Sequence, residues 1–217
     1  MGILFLAASI ARAQDPVKVT PEHYKVEIDN DQVRILHHTG GAKAKDPMHA
    51  HPSNVVVFLT DADYKTTSAD GKTAENHRKR GQAAWNEAVK HSRENLSNKP
   101  FEIIQIELKP GRPHSQAASA ALDPVKLSPS YYKVEFENDS VRIIRAKRPP
   151  HSKVPMHAHP NYAAVYLTDV HQKTTDADGK VSESNRKAGE VSFNKPLQHA
   201  EENISDQPFE AVIVELK

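Results

Sequence analysis

Six of the 13 histidines fall into two sets with the same internal spacing. His49 and His51 stand one residue apart, and His91 follows after an interval that recurs between His159 and His199, with His157 beside His159. On a strand, residues i and i+2 share a face, so each H-x-H pair directs two imidazoles to one point. Three neutral imidazoles converging from different strands suit a divalent transition metal, with positions left open for water, dioxygen or substrate. Imidazole accepts copper, iron and zinc alike, and raw affinity peaks at copper, so copper is favoured, iron is next and zinc is possible. With no cysteine in the chain, disulfides, iron–sulfur clusters and thiolate nucleophiles are excluded. The seven other histidines, such as His23, His114 and His171, read as solvated surface.

The elements that must position these histidines come in duplicate. Val17–Lys109 aligns without a gap on Val125–Lys217, with roughly half of the positions identical. Pro47-Met48-His49-Ala50-His51-Pro52 matches Pro155-Met156-His157-Ala158-His159-Pro160. The triad persists in both copies where its neighbours diverge: His37 faces Arg145, His77 faces Asn185 and Lys43 faces His151. Each copy reads as β, with strands expected at Tyr24–Ile28, Gln32–His37, Asn54–Thr60, Gln82–Trp85 and Phe101–Leu108. Asp29-Asn30-Asp31 reads as a turn, and Asp70-Gly71 and Asp178-Gly179 read as hairpin tips. Helical periodicity is absent over any useful length. The expected architecture is all-β: two tandem small jelly-roll barrels, residues 15–109 and 125–217, joined by a linker at 110–124 rich in proline, alanine and serine. Repeats this similar are expected to pair about a pseudo-twofold axis within the chain.

Lysine plus arginine is 29 and aspartate plus glutamate is 28, a net charge of +1. That balance, with no basic run, argues against a nucleic-acid clamp or a polybasic membrane patch. Residues 1–14 hold a short apolar run, Ile3–Ile10, followed by Ala11-Arg12-Ala13. This resembles the end of a secretory signal peptide, without its basic leader, and places the protein outside the cytoplasm, secreted or periplasmic. The run is too short to span a bilayer.

At this point the residues resemble a known superfamily, the cupins. His157, His159, Gly189, Pro196, His199 and Asn203 match its two motifs, as do His49, His51, Gly81, His91 and Asn95 in the first copy. The resemblance implies a bicupin with a metal in each barrel. Where the family places a glutamate ligand, this chain has Val55-Val56 and Ala163-Ala164, so both sites are expected to lack a carboxylate, and no charged residue is expected beside the motif. Ala88 stands where Pro196 does in the second copy. An all-imidazole site keeps the metal's full charge, which favours anionic substrates and oxygen chemistry. Similar three-histidine cupins include thiol, β-diketone and gentisate-type dioxygenases, and small exported copper cupins that cleave cellulose oxidatively. The expected activity is therefore that of a metal-dependent oxidoreductase activating dioxygen or peroxide. Its substrate is a polysaccharide or a small molecule. The alternatives are a non-catalytic metal- or ligand-binding bicupin and an isomerase or lyase acting on a small organic acid. Trp85, Tyr162 and Phe193 are the pocket candidates, with Tyr131 and Tyr166 offering a shallow stacking face. Met48 and Met156 should point away from the metal into the core, and Asn95 and Asn203 suit a turn or ligand-orienting role.

Overall fold

The computed structural model describes residues 14–115 and 118–217. The apolar run and cleavage signal within residues 1–13 lie outside the described residues. The first half contains β1 (Tyr24–Asp29), β2 (Val33–Gly40), β3 (Lys45–His51), β4 (Asn54–Phe58), β5 (Ala62–Ser68), β6 (Thr73–Arg78), β7 (Ala83–Asn86), β8 (Val89–Asn95) and β9 (Phe101–Leu108). The second half repeats it with β10 (Tyr132–Glu137), β11 (Val141–Arg148), β12 (Lys153–His159), β13 (Tyr162–Tyr166), β14 (Val170–Asp176), β15 (Val181–Arg186), β16 (Val191–Asn194), β17 (Leu197–Asn203) and β18 (Phe209–Leu216). Each half pairs a five-stranded sheet, β1-β2-β9-β4-β7 or β10-β11-β18-β13-β16, with a four-stranded one, β3-β8-β5-β6 or β12-β17-β14-β15. All pairings are antiparallel. The only α-helices among the described residues are single turns, Pro16–Val19 and Pro124–Leu127, each capped by the preceding aspartate. No helix there is long and apolar enough to cross a membrane.

The turns are those the residues dictate. Asn30 Oδ1 accepts from the Gln32 and Val33 amides at 2.8 and 2.9 Å, and Asn138 closes β10–β11 in the same way. Gly71 and Gly179 take φ of 84° and 80° at the tips of β5–β6 and β14–β15, a region open to glycine at no steric cost. Four strands per half escape the sequence reading: β5, β6, β8 and the stretch of β3 before the histidines. They carry solvent on one face, so runs such as Thr73-Ala74-Glu75-Asn76-His77-Arg78 have no apolar signature.

The unbroken apolar run Val55-Val56-Val57-Phe58 has a cause in the architecture. Val56 and Phe58 face the interior of their own barrel with Phe101 and Ile103, while Val55 and Val57 face the other half. A strand covered on both sides carries no polar alternation. The shared core takes Val33, Ile35, Val55, Val57, Ile104 and Ile106 from one half, and the equivalent Val141, Ile143, Ala163, Val165, Val212 and Val214 from the other. Equivalent positions meeting each other is the mark of an isologous interface, so the chain is an intramolecular pair.

Candidate metal centres

His49 and His51 lie at the end of β3, and His91 lies on β8 directly opposite His49. A register shift between Asp46 and His49 brings the H-x-H pair onto the interior face. The same shift precedes His157 on β12, which faces His199 on β17. In each triad the ligand-capable atoms all lie within 4.8 Å of one another. His49, His51, His157, His159 and His199 are buried.

Which nitrogen faces the centre is settled by what the other one touches. His49 Nδ1 donates to the Pro47 carbonyl at 2.7 Å, and His157 Nδ1 to that of Pro155 at 2.9 Å. His51 Nδ1 donates to Glu107 Oε1 at 2.6 Å, and His159 Nδ1 to Glu215 Oε1 at 2.7 Å. These contacts fix the Nε2 lone pairs inward and orient the rings, the service a carboxylate gives a metal-binding imidazole. Nε2 of His51, His91, His157 and His199 is buried without a hydrogen-bond partner. Burial pushes His51 and His91 down to about 2 and His199 down to about 4, and it lowers His49 and His157 as well. All five rings are therefore neutral near pH 7, the form that binds metal. Orphaned, neutral, convergent nitrogens are the donor set a divalent transition metal requires.

Carboxylates stand beside both triads, contrary to the expectation that no charged residue lies beside the motif, although none joins the three imidazoles of either group. Glu107 and Glu215 come from the last strand of each half, and Arg34 and Arg142 hold them at 2.7 and 3.5 Å. Asp15 and Asp123 pair in turn with those arginines. A second departure is confined to one half. Glu201, two residues after His199 on the same strand face, places Oε2 3.9 Å from His157 Nε2 and Oε1 3.8 Å from His199 Nδ1. Arg148 and the Tyr132 hydroxyl hold it at 3.1 and 2.9 Å. Burial alone would raise this carboxyl, but His199, His157 and Arg148 outweigh it and leave it lowered. The equivalent residue in the first half is Arg93. The i+2 rule that paired His49 with His51 also points from His199 to Glu201, so the signal was there to be read.

Tyr162 is buried, tilts over His159 at 4.8 Å between ring centroids, and lines the second cavity. Trp85 edges the first cavity, yet it packs on the shared core and stacks on Phe136 of the other half. Phe193 also packs on that core. Both rings sit opposite residues that face the partner barrel, Val55 and Ala163, which turns them to the interface. Tyr131, Tyr162 and Tyr166 form no exposed stacking face: all three pack on the interior cluster of the second barrel, and Tyr166 lines the same cavity as Tyr162. Met48 and Met156 are half-buried and belong to none of the apolar clusters. Asn95 and Asn203 are turn residues: Asn95 Nδ2 donates to Gly41 and Lys99 carbonyls and Oδ1 accepts from the Ser97 amide, with Asn203 doing likewise.

His23 and His38 are not solvated surface. His38 is fully buried, and Asp46 bridges the two rings, His23 Nδ1 at 2.5 Å and His38 Nε2 at 2.9 Å. His38 packs at 4.6 Å on Tyr24, whose hydroxyl reaches His49 Nε2 at 3.2 Å. In the second half the three positions are Tyr131, Ala146 and Val154, an apolar set.

No protein-family model and no curated protein matches the sequence. Solved structures do match. AerE from Microcystis aeruginosa superposes with a TM-score of 0.67 at 14% identity, over 94% of this chain and 97% of that one. A salicylate 1,2-dioxygenase from Pseudaminobacter salicylatoxidans gives 0.57 at 9% identity, over 85% and 71%. A cupin 2 conserved barrel domain protein from Leptotrichia buccalis gives 0.54 at 10%, over 89% and 88%. At these identities the likeness is one of fold: two tandem cupin barrels in a single chain.

Proposed function

We propose that the protein is a metal-dependent enzyme of the oxygenase type. It holds one divalent transition metal in each histidine triad and acts on a small organic molecule. One observation carries this reading: imidazole nitrogens that are buried, neutral and without a partner converge beside a cavity in both halves. A buried polar atom left unpaired costs about 1–3 kcal/mol, and ligation removes that cost at every one of them. When bound, the metal supplies a Lewis-acidic, redox-capable centre with open positions. The chain's own residues do the rest. Glu107 and Glu215 hold the Nδ1 protons of His51 and His159, and the barrel walls bury five of the six triad imidazoles, leaving His91 to face the first cavity. Burial raises the Tyr24, Tyr132 and Tyr162 phenols, so their hydroxyls stay protonated and serve as hydrogen-bond donors.

The triads sit inside the barrels, which favours a small substrate over an extended chain such as cellulose. The salicylate dioxygenase shares the fold, and its name describes oxygen chemistry on a small organic acid. Copper first and iron next follows from imidazole affinities alone. Export remains part of the reading, and a cut after Ala13 would leave Asp15 in place to support Arg34 and Glu107. The test is oxygen uptake by protein loaded separately with iron and copper, offered a panel of small organic acids. Uptake that disappears in His49→Ala, His157→Ala or the pair supports the reading. No uptake with either metal and any acid contradicts it.

A further inference from the structure

The two cavities carry opposite charge at one equivalent position, and the rest of each barrel is arranged around that difference. In the second half Glu201 is neutralised internally. Arg148 reaches it at 3.1 Å, is itself fully buried, and spends its other donors on Ser152 and the Glu201 carbonyl. In the first half the position of Arg148 is Gly40, where an added Cβ would meet the Phe101 ring at 2.9 Å, so no side chain fits there. Arg93 takes the place of Glu201, and among the described residues no ion pair or hydrogen bond holds its guanidinium. Its cross-strand partner is Asp46, but both Asp46 oxygens are taken by His23 and His38. Arg93 is 7% exposed, rests 5.5 Å over Tyr64, and leaves Nε and one terminal nitrogen without partners.

The first cavity, about 490 Å³, is lined by His91 and Arg93 together, and also by Gln105, buried with Oε1 unpaired where the second half has Ile213. Asp46 lends its charge from the neighbouring strand but no acceptor, and buried guanidinium N–H groups left unpaired are costly unless an acceptor arrives from outside. Guanidinium matches carboxylate through paired, charge-assisted hydrogen bonds. The second cavity, about 220 Å³, already holds a carboxylate where such a ligand would bind.

We infer that the N-terminal barrel alone is the substrate site, that it takes a small organic acid whose carboxylate binds Arg93, and that the C-terminal barrel keeps Glu201 beside its triad and excludes anions. This rests on the metal-enzyme reading above and assigns its two sites different work. A metal in the second triad is then retained by the protein's own charge.

Trp85 is the only tryptophan and lines the first cavity and not the second, so a ligand entering the first cavity reaches it directly, and the stoichiometry checks that its contact with Phe136 does not relay binding from the other half. The experiment titrates zinc-loaded protein with acetate, oxalate, pyruvate and benzoate, each against its neutral amide. Trp85 emission, calorimetric stoichiometry and bound zinc are followed together. At least one acid should shift the emission saturably at one equivalent per chain, with its amide far weaker. Arg93→Gln should weaken that acid roughly tenfold to a hundredfold, Arg93→Lys should recover part of the loss, and Glu201→Gln should leave the Trp85 titration unchanged. Equal binding of acid and amide to the wild-type protein overturns the inference without any variant, as do two equivalents per chain, no binding across the panel, or wild-type affinity in folded Arg93→Gln. Loss of zinc from the wild-type triads is a different failure. It strikes the metal-enzyme reading, while discrimination of acid from amide by Arg93 is still measured on the metal-free protein.

Discussion

At the scale of single residues, the chemistry depends on imidazoles held neutral and aimed by partners that lie elsewhere in the chain. Glu107→Gln removes the charge behind His51 and is expected to weaken metal binding in the first triad roughly 10–100-fold, while Glu215→Gln does so in the second. Competition against a chromophoric chelator measures both, and a loss shared equally by the two triads would contradict the assignment. The His38–Asp46 pair contributes to the response to acid alongside the triad histidines. Burial takes His38 from an ordinary 6.5 down to about 4, and Asp46 is lowered as well: burial opposes this, and the bonds to His38 and His23 outweigh it. The unfolded chain therefore binds more protons as pH falls. Stability present above about pH 6.5 is lost on the way to about pH 4, on the order of 3 kcal/mol from His38. Replacing the pair by the residues of the other half, His38→Ala with Asp46→Val, should remove the pair's share of the acid limb in denaturation curves of the metal-free protein and leave the share of the triad histidines. An unchanged limb would show that the pair does not titrate as described.

At the scale of elements, the H-x-H pairs were legible because strand period and ligand geometry coincide, and the repeat was legible because it preserves them. Glu107 was not, because its contact with His51 crosses between sheets and only the register of β9 against β4 brings them together. Glu201 was overlooked because the family motif places its acid elsewhere. His38 reads as one more polar residue on a mixed strand, and its burial follows from Asp46 arriving on β3. Strands β5, β6 and β8 were missed for want of alternation, whereas β4 and β9 stood out because both of their faces are covered. Turn chemistry constrains the elements as well. Gly81 has φ +85° and lies where a Cβ would come within 3.4 Å of Leu167 in the other half. Gly81→Ala should cost about 1–2 kcal/mol from the left-handed backbone alone. Urea unfolding reads the loss, and a neutral substitution would mean that the turn relaxes freely.

At the scale of the whole molecule, the shared apolar core makes two barrels one cooperative body. Ile104 is fully buried in it, and Ile104→Ala should cost about 2–5 kcal/mol while leaving a single unfolding transition. Two separated transitions would show that the halves fold independently. The pairing also explains how duplication was put to use: one face of each five-stranded sheet is committed to the partner, and the four-stranded sheets and barrel interiors were free to diverge. They diverged at Arg93 against Glu201, at Gly40 against Arg148, and at His38 against Ala146. The central claim is that both triads bind metal independently within this common frame. The most direct test is elemental analysis of protein purified without a metal-binding tag, compared with His49→Ala, His157→Ala and the double variant. The account predicts two equivalents per chain in the parent, one in each single variant and none in the double. Metal that is absent from the parent after loading, or that survives in the double variant, would contradict it.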